Sequence, residues 1–204
     1  MPALPAKKLI LIVGPTAVGK TNLSIALAKK LGTEIISADS RQIFKELTIG
    51  TAKPSQQEMA GVAHHFINIK SIDDEYDAGQ FGREALDLIR TLLETHNHLI
   101  VCGGSGLYLK ALTEGFDDMP EIPEGLRESI NEEYEAKGLG WLQEEVKRVD
   151  PEYFSEVDKM NPHRLIRALE INRASGKPVS FFRKKEKNVH EFSIIKIGLE
   201  LPRE

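Results

Sequence analysis

The stretch GPTAVGKT, from Gly14 to Thr21, sets two glycines, a lysine and a threonine in the spacing G-x-x-x-x-G-K-[ST]. Residues of those types in that order hold phosphates. Gly14 and Gly19 let the backbone bend until successive N–H groups point at one anion, and a helix starting behind them adds its positive end. Lys20 supplies a point charge to the outer phosphates, and the Thr21 hydroxyl is placed for Mg²⁺. The alternative is a glycine-rich turn that fits the spacing by chance. The context argues against it, because an apolar strand precedes the loop and a helical pattern follows.

A chain that hydrolyses nucleoside triphosphates normally adds an aspartate at the end of a later apolar strand. Here that strand, LIVCGG, ends in Cys102, Gly103 and Gly104. The acidic residue is instead Asp39, in the earlier ISADS. Carboxyl ends of strands line the ligand crevice of a doubly wound sheet, so Asp39 is expected to face the loop. That place suits a base acting on an acceptor nucleophile. A helix cap or turn residue is the competing reading.

The elements that must position these groups alternate. Leu9–Val13 is an apolar run, as in a parallel strand buried on both faces. Leu23, Ala26, Leu27 and Leu31 give a helical period ended by Gly32. Residues 33–40 read as a second strand and 64–69 as a short third. Asp77 with Gln80 forms a capping box, followed by a stripe of Phe81, Ala85, Leu88, Ile89 and Leu92. Residues 99–102 read as another buried strand, leading into a helix at SGLYLKAL. Alternating strands and helices imply right-handed crossovers and a parallel sheet: an α/β fold. From about residue 117 the chain becomes charged and helix-rich. Asn161 as cap and Pro162 at the first turn start a helix that runs to Gly176. KPVSFFRKKEKN reads as basic and irregular, and 191–201 returns to strand. The expected division is a catalytic core at 1–116, a helical insert at 117–187 and a return to the core at 188–204.

Taken in order, GPTAVGKT, SADSRQIF, IGTAKP, GVAHHF, YDAGQF, GGSGLYLKAL, NPHRLIRALEI and SGKPVS make the chain resemble the tRNA dimethylallyltransferases, also called tRNA isopentenyltransferases. It departs at Arg41 and Phe44, at Ser105 where the family often has Thr, and at Asp77 where it often has Ser. It is also shorter, and a chain truncated relative to the family is expected. The resemblance implies a P-loop NTPase-like parallel sheet flanked by helices, with a helical insert domain that grips tRNA. It implies transfer of a dimethylallyl group from dimethylallyl diphosphate to N6 of the adenosine 3′ of the anticodon, with Mg²⁺ as cofactor. Gly14, Pro15, Thr16, Ala17, Val18, Gly19, Lys20 and Thr21 would hold the diphosphate. Asp39, Lys20 and Thr21 would be catalytic. Asp39, Ser40, Arg41, Gln42, Ser105, Arg127, Asn161, Pro162, His163, Arg164, Leu165 and Arg167 would meet the tRNA, with Gln42 on the adenine edge.

Several of these residues have plainer readings. Ser105 could merely cap a helix. Lys53 could reach a phosphate or be a solvated loop lysine. Arg164 and Arg167 lie three apart on one helix face, where most arginines are surface charges. Phe181 and Phe182, beside basic residues 177, 183, 184, 185 and 187, suit packing or a base platform. His64 and His65 point to opposite faces of a strand, so no zinc is expected. Cys102 reads as a small buried hydrophobe.

The 204 residues are 41% hydrophobic and 28% charged, which permits a real core. One cysteine allows no internal disulfide and fits a reducing cytoplasm. No apolar run approaches the roughly 20 residues of a membrane span. The net charge of −4 argues against a uniformly basic coat, leaving room for a local patch. A cytoplasmic monomer is expected. Two rivals stand beside the transferase: a P-loop small-molecule kinase using ATP, and a non-enzymatic module that binds nucleoside triphosphates.

Overall fold

The computed structural model describes residues 7–117, 119–183 and 189–200. They fall into two compact units. One takes the chain up to Phe116 and again from Lys187, and the other is Asp117–Glu186.

The first unit is an α/β sandwich. Strands β1 (Lys8–Val13), β2 (Ile35–Ser37), β3 (His64–His65), β4 (His98–Gly103) and β5 (Ser193–Gly198) form one sheet in the order β3-β2-β4-β1-β5. Every pair is parallel: Lys8 stands beside His98 on one side and Ser193 on the other. Helices α1 (Lys20–Leu31), α2 (Gln56–Met59), α3 (Ala78–Thr95) and α4 (Gly106–Thr113) complete the unit. Leu9, Leu11, Leu99 and Val101 point to the side covered by α3 and α4, meeting Phe81, Ala85 and Ile89. Ile10, Ile12 and Ile100 point to the other side, meeting Ile25 and Ala28 of α1. This double burial makes β1 and β4 continuous apolar runs.

The capping box at α3 is complete. The Asp77 carboxylate accepts from Gln80 N, and the Gln80 side chain accepts from Asp77 N. Helix α1 differs from the expected face. Its buried residues are Ser24, Ile25 and Ala28, while Leu23 is exposed. Leu27 and Leu31 of the expected face do pack, partly buried, against the same core as Ile25 and Ala28. Strand β2 is three residues, short of the expected 33–40, because the chain turns at Ala38 to bring Asp39 round. Strand β3 is two residues, because Phe66 and Asn68 take positive φ (61° and 57°) and end the ladder.

The second unit is helical: α5 (Leu126–Val149), α6 (Pro151–Glu156), α7 (Pro162–Ser175) and α8 (Val179–Phe182). Helix α5 is broken at Gly138, whose φ of 79° is outside the helical region. Ile130, Leu142, Val146, Leu165, Leu169 and Val179 form its own core. Helix α7 starts as the sequence predicts, with Asn161 Oδ1 accepting from Arg164 N and Pro162 at its first position. The expectation of irregular chain after Lys177 is corrected at 179–182. The buried Asp150 caps α6 with one oxygen and accepts from Ser180 N with the other (2.8 Å), which folds that stretch into α8. The rest of the basic run, 184–187, lies outside the described residues.

Candidate active site

The phosphate-loop sequence sits between β1 and α1. Gly14 has φ 150°, and any side chain there would strike the backbone of Leu199 as it leaves β5. Gly19 has φ 94° and hands the chain to α1. Behind the loop lies a cavity of about 220 Å³. Thr16, Ala17, Gly19, Lys20 and Thr21 line one side of it, and Ser37, Asp39 and Gln42 another. Gly14, Pro15 and Val18 complete the loop without lining the cavity. Lys20 Nζ donates to Pro15 O at 2.6 Å, so its charge is folded over its own loop.

Asp39 reaches the cavity because β4 ends in glycine. The Ala38 backbone lies directly against Gly103, where a side chain would collide with it, and Ala38 N donates to Cys102 O. The end of β4 therefore has no room for a carboxylate, and the turn after β2 supplies one. The turn role of Asp39 is seen directly. Its Oδ1 accepts from Arg41 N (3.0 Å) and Gln42 N (3.4 Å), closing the turn. Its Oδ2 has no hydrogen bond among the described residues. One oxygen is anchored in the turn, and the residue lines the cavity.

The neighbouring residues are more heavily used within the protein than their types suggest. The Gln42 amide nitrogen donates to Thr51 O (3.1 Å) and Ala52 O (3.0 Å), and its oxygen accepts from Ser37 Oγ. Both of its N–H groups hold the backbone at Thr51 and Ala52. Lys53 is partly buried and held within the protein. Its Nζ donates to Phe44 O (2.6 Å) and Asn68 Oδ1 (2.7 Å), and desolvation lowers its pKa. Ser105 precedes α4 but makes no capping hydrogen bond. Its Oγ accepts from Ser40 N (2.8 Å) and reaches Ser40 Oγ, tying two strand-end loops together. Arg41 is exposed.

Sequence reasoning gave no site role to Ala52, Pro54, His64, Ile67 or Cys102, which all line the cavity. His64 is half-buried, and desolvation lowers its pKa. His65 points elsewhere, to Glu34 at 2.6 Å. Burial pushes the Cys102 thiol up, with Ser24, Lys20 and Asp39 as neighbours. It is a cavity-wall residue more than a core one. Strand alternation was the available signal: Ser37 and Cys102 are register partners and share a face.

In the helical unit, His163 and Arg164 are exposed at the start of α7, and Asn161 and Pro162 shape that start. Leu165 is fully buried, its side chain in the core of this unit. Arg127 and Arg167 both reach Glu170, at 3.5 and 3.0 Å. Phe181 is 56% exposed with Lys177 Nζ 4.1 Å from its ring centroid, while Phe182 packs against the helical core. Among the described residues no group of three or more His, Cys, Asp or Glu could hold a metal ion. No described helix is long and apolar enough to cross a membrane.

Known proteins share this arrangement over most of the chain. The family model described as IPP transferase matches residues 42–204. A tRNA dimethylallyltransferase from Cytophaga hutchinsonii is 49% identical over 198 residues, covering 97% of this chain and 65% of the relative. One from Christiangramia forsetii is 50% identical over 196 residues, covering 96% and 65%. The chain thus spans just under two thirds of the length of these curated relatives. Among solved structures, a eukaryotic dimethylallyltransferase acting on tRNA superposes with a TM-score of 0.77 at 29% identity, covering 95% of this chain and 48% of that one. A tRNA isopentenylpyrophosphate transferase from Bacillus halodurans gives 0.54 at 38% identity, covering 84% and 57%. With one family's match running from Gln42 to Glu204 and about half of all aligned positions shared with its bacterial members, the chain belongs to the IPP transferase family.

Proposed function

We propose that this chain carries the chemistry of a tRNA dimethylallyltransferase. It moves a dimethylallyl group from dimethylallyl diphosphate to N6 of the adenosine 3′ of the anticodon. The observation that carries the reading is the shared cavity, lined both by residues of the glycine-bracketed loop Gly14–Thr21 and by Asp39, a carboxylate with one unbonded oxygen. The loop, Gly14 to Thr21, holds the diphosphate. N6 attacks the allylic carbon, the C–O bond breaks, and its electron pair leaves with the diphosphate. Asp39 Oδ2 accepts the N6 proton. Backbone N–H groups and Lys20 stabilise the charge that develops on the leaving group. For that, Lys20 Nζ must leave Pro15 O and turn to the phosphates.

The donors fit Mg²⁺ held at Thr21. The Thr21 hydroxyl shares the cavity with Asp39, and an ion there would take most of its ligands from substrate phosphates and water. When bound, it supplies further neutralisation of the leaving diphosphate. The exposed basic residues of the helical unit, Arg164 foremost, meet the tRNA. The protein works as a cytoplasmic monomer.

The test is incubation with labelled dimethylallyl diphosphate and unmodified tRNA. Label should appear on the adenosine next to the anticodon, without robust ATP hydrolysis. Transfer of the γ-phosphate of ATP to a small acceptor, with no labelled tRNA, would overturn the reading in favour of a kinase.

A further inference from the structure

Glu170 lies on α7 among the buried side chains of Ile166, Leu169 and Ile171, and is itself 1% exposed. A buried carboxylate is costly unless it is paired. Its pairs are Arg167, whose Nη1 donates to Oε2 at 3.0 Å, and Arg127, whose Nη1 lies 3.5 Å from Oε1. Oε1 makes no hydrogen bond in the structure. The carboxylate is therefore gripped firmly from one helix and loosely from another.

The two arginines are about half exposed, 51% for Arg127 and 47% for Arg167. Each guanidinium has five N–H donors, and Glu170 takes few of them. One negative charge buried between two positive ones leaves an excess of +1 at the surface. If stability were all that mattered, an apolar residue at 170 would serve as well or better. The carboxylate adds placement: it brings two long side chains from α5 and α7 to one spot with their outer donors free. Two planar forks held together match the oxygens of a phosphate.

We propose that Glu170 is a positioning residue, holding Arg127 and Arg167 as a paired guanidinium site for a backbone phosphodiester of RNA. The proposal rests on reading the chain as a tRNA-modifying protein. It deepens that reading by naming what sets the geometry of its basic surface.

The experiment measures affinity of the full chain for unmodified tRNA across a salt series, with dimethylallyl diphosphate binding alongside. Glu170→Gln removes a negative charge, so charge alone predicts tighter RNA binding. Positioning predicts the reverse: about tenfold weaker binding, the scale of one lost charged contact. The log–log salt slope should flatten by about 0.7 to 0.9, one phosphate's share. Affinity for dimethylallyl diphosphate should hold, which checks the α/β unit. The far-UV circular dichroism and thermal unfolding of the variant should match the wild type, which a structural defect in the helical unit would not allow. Arg167→Lys keeps the charge and loses the fork, and should weaken RNA binding similarly. A folded Glu170→Gln protein that binds tRNA as well as the wild type, or better, overturns the proposal alone. If that variant does not fold, wild-type tRNA affinity in Arg167→Lys overturns it. A wild-type chain that binds no tRNA overturns the functional reading and this proposal with it.

Discussion

Asp39 holds one carboxylate oxygen on its own turn and leaves the other to the cavity, so binding and proton transfer can be separated by mutation. Asn at this position keeps an oxygen to accept from Arg41 N and Gln42 N, and so keeps the turn. It loses the proton acceptor. Asp39→Asn is expected to lower prenyl transfer by about 10²–10⁴, with diphosphate binding retained in a direct titration. If the rate holds while substrate affinity drops, the proton goes elsewhere and Asp39 only orients the base. Lys20 touches a different quantity. Lys20→Ala should reduce transfer by about a hundredfold or more, the scale of one lost electrostatic contact to a transition state. Near-normal turnover in that variant would remove the diphosphate from the loop.

Helix α5 is tied to α7 by more than its apolar face. Glu133 accepts from Arg173 Nη1 (2.6 Å) and Lys137 Nζ (2.9 Å), and these two hydrogen bonds, Arg173's the larger, hold its pKa down at about 2. Because that lies below the ordinary 4.5, the stabilisation is present above pH 4.5 and is lost as pH falls towards 2. Glu133→Gln should show a smaller fall in stability across that window than the wild type, followed by thermal unfolding of both proteins. An identical acid profile would make this a surface pair of no weight. Elements differed in how far local sequence could fix them. The starts of α3 and α7 were legible, because Asp77 with Gln80 and Asn161 with Pro162 act within a few residues. The inward face of α1 was not: Ser24, Ile25 and Ala28 are buried because of what packs on them. Asp39 was legible as a strand-end acid. The tasks of Gln42, Lys53 and Ser105 were not, because the backbone and side-chain groups they hold, Ser37 aside, lie 9 to 65 residues away and only the fold brings them near.

At the scale of the molecule, one α/β unit is interrupted by a helical unit with its own core. The chain leaves the first unit after α4 and returns before β5. Next to these points His190 Nε2 meets Thr113 O at 3.0 Å, so exit and return are held together on the α/β side. Replacing residues 117–187 with a short glycine–serine linker should therefore leave a folded sheet that binds dimethylallyl diphosphate and no longer retains tRNA. Loss of diphosphate binding in a protein with intact far-UV circular dichroism would show that the cavity needs the insert.

The pairing of Lys8 with Ser193 also sets a timetable for synthesis. While the ribosome is still at work, β1 has β4 for a neighbour, but its other edge stays open until the chain has grown past Gly198. The helical unit, whose contacts lie close in sequence, is complete earlier and can fold first. During that interval the nascent chain displays the apolar edge of β1, a template for pairing with another chain. Chaperone demand should fall in this window.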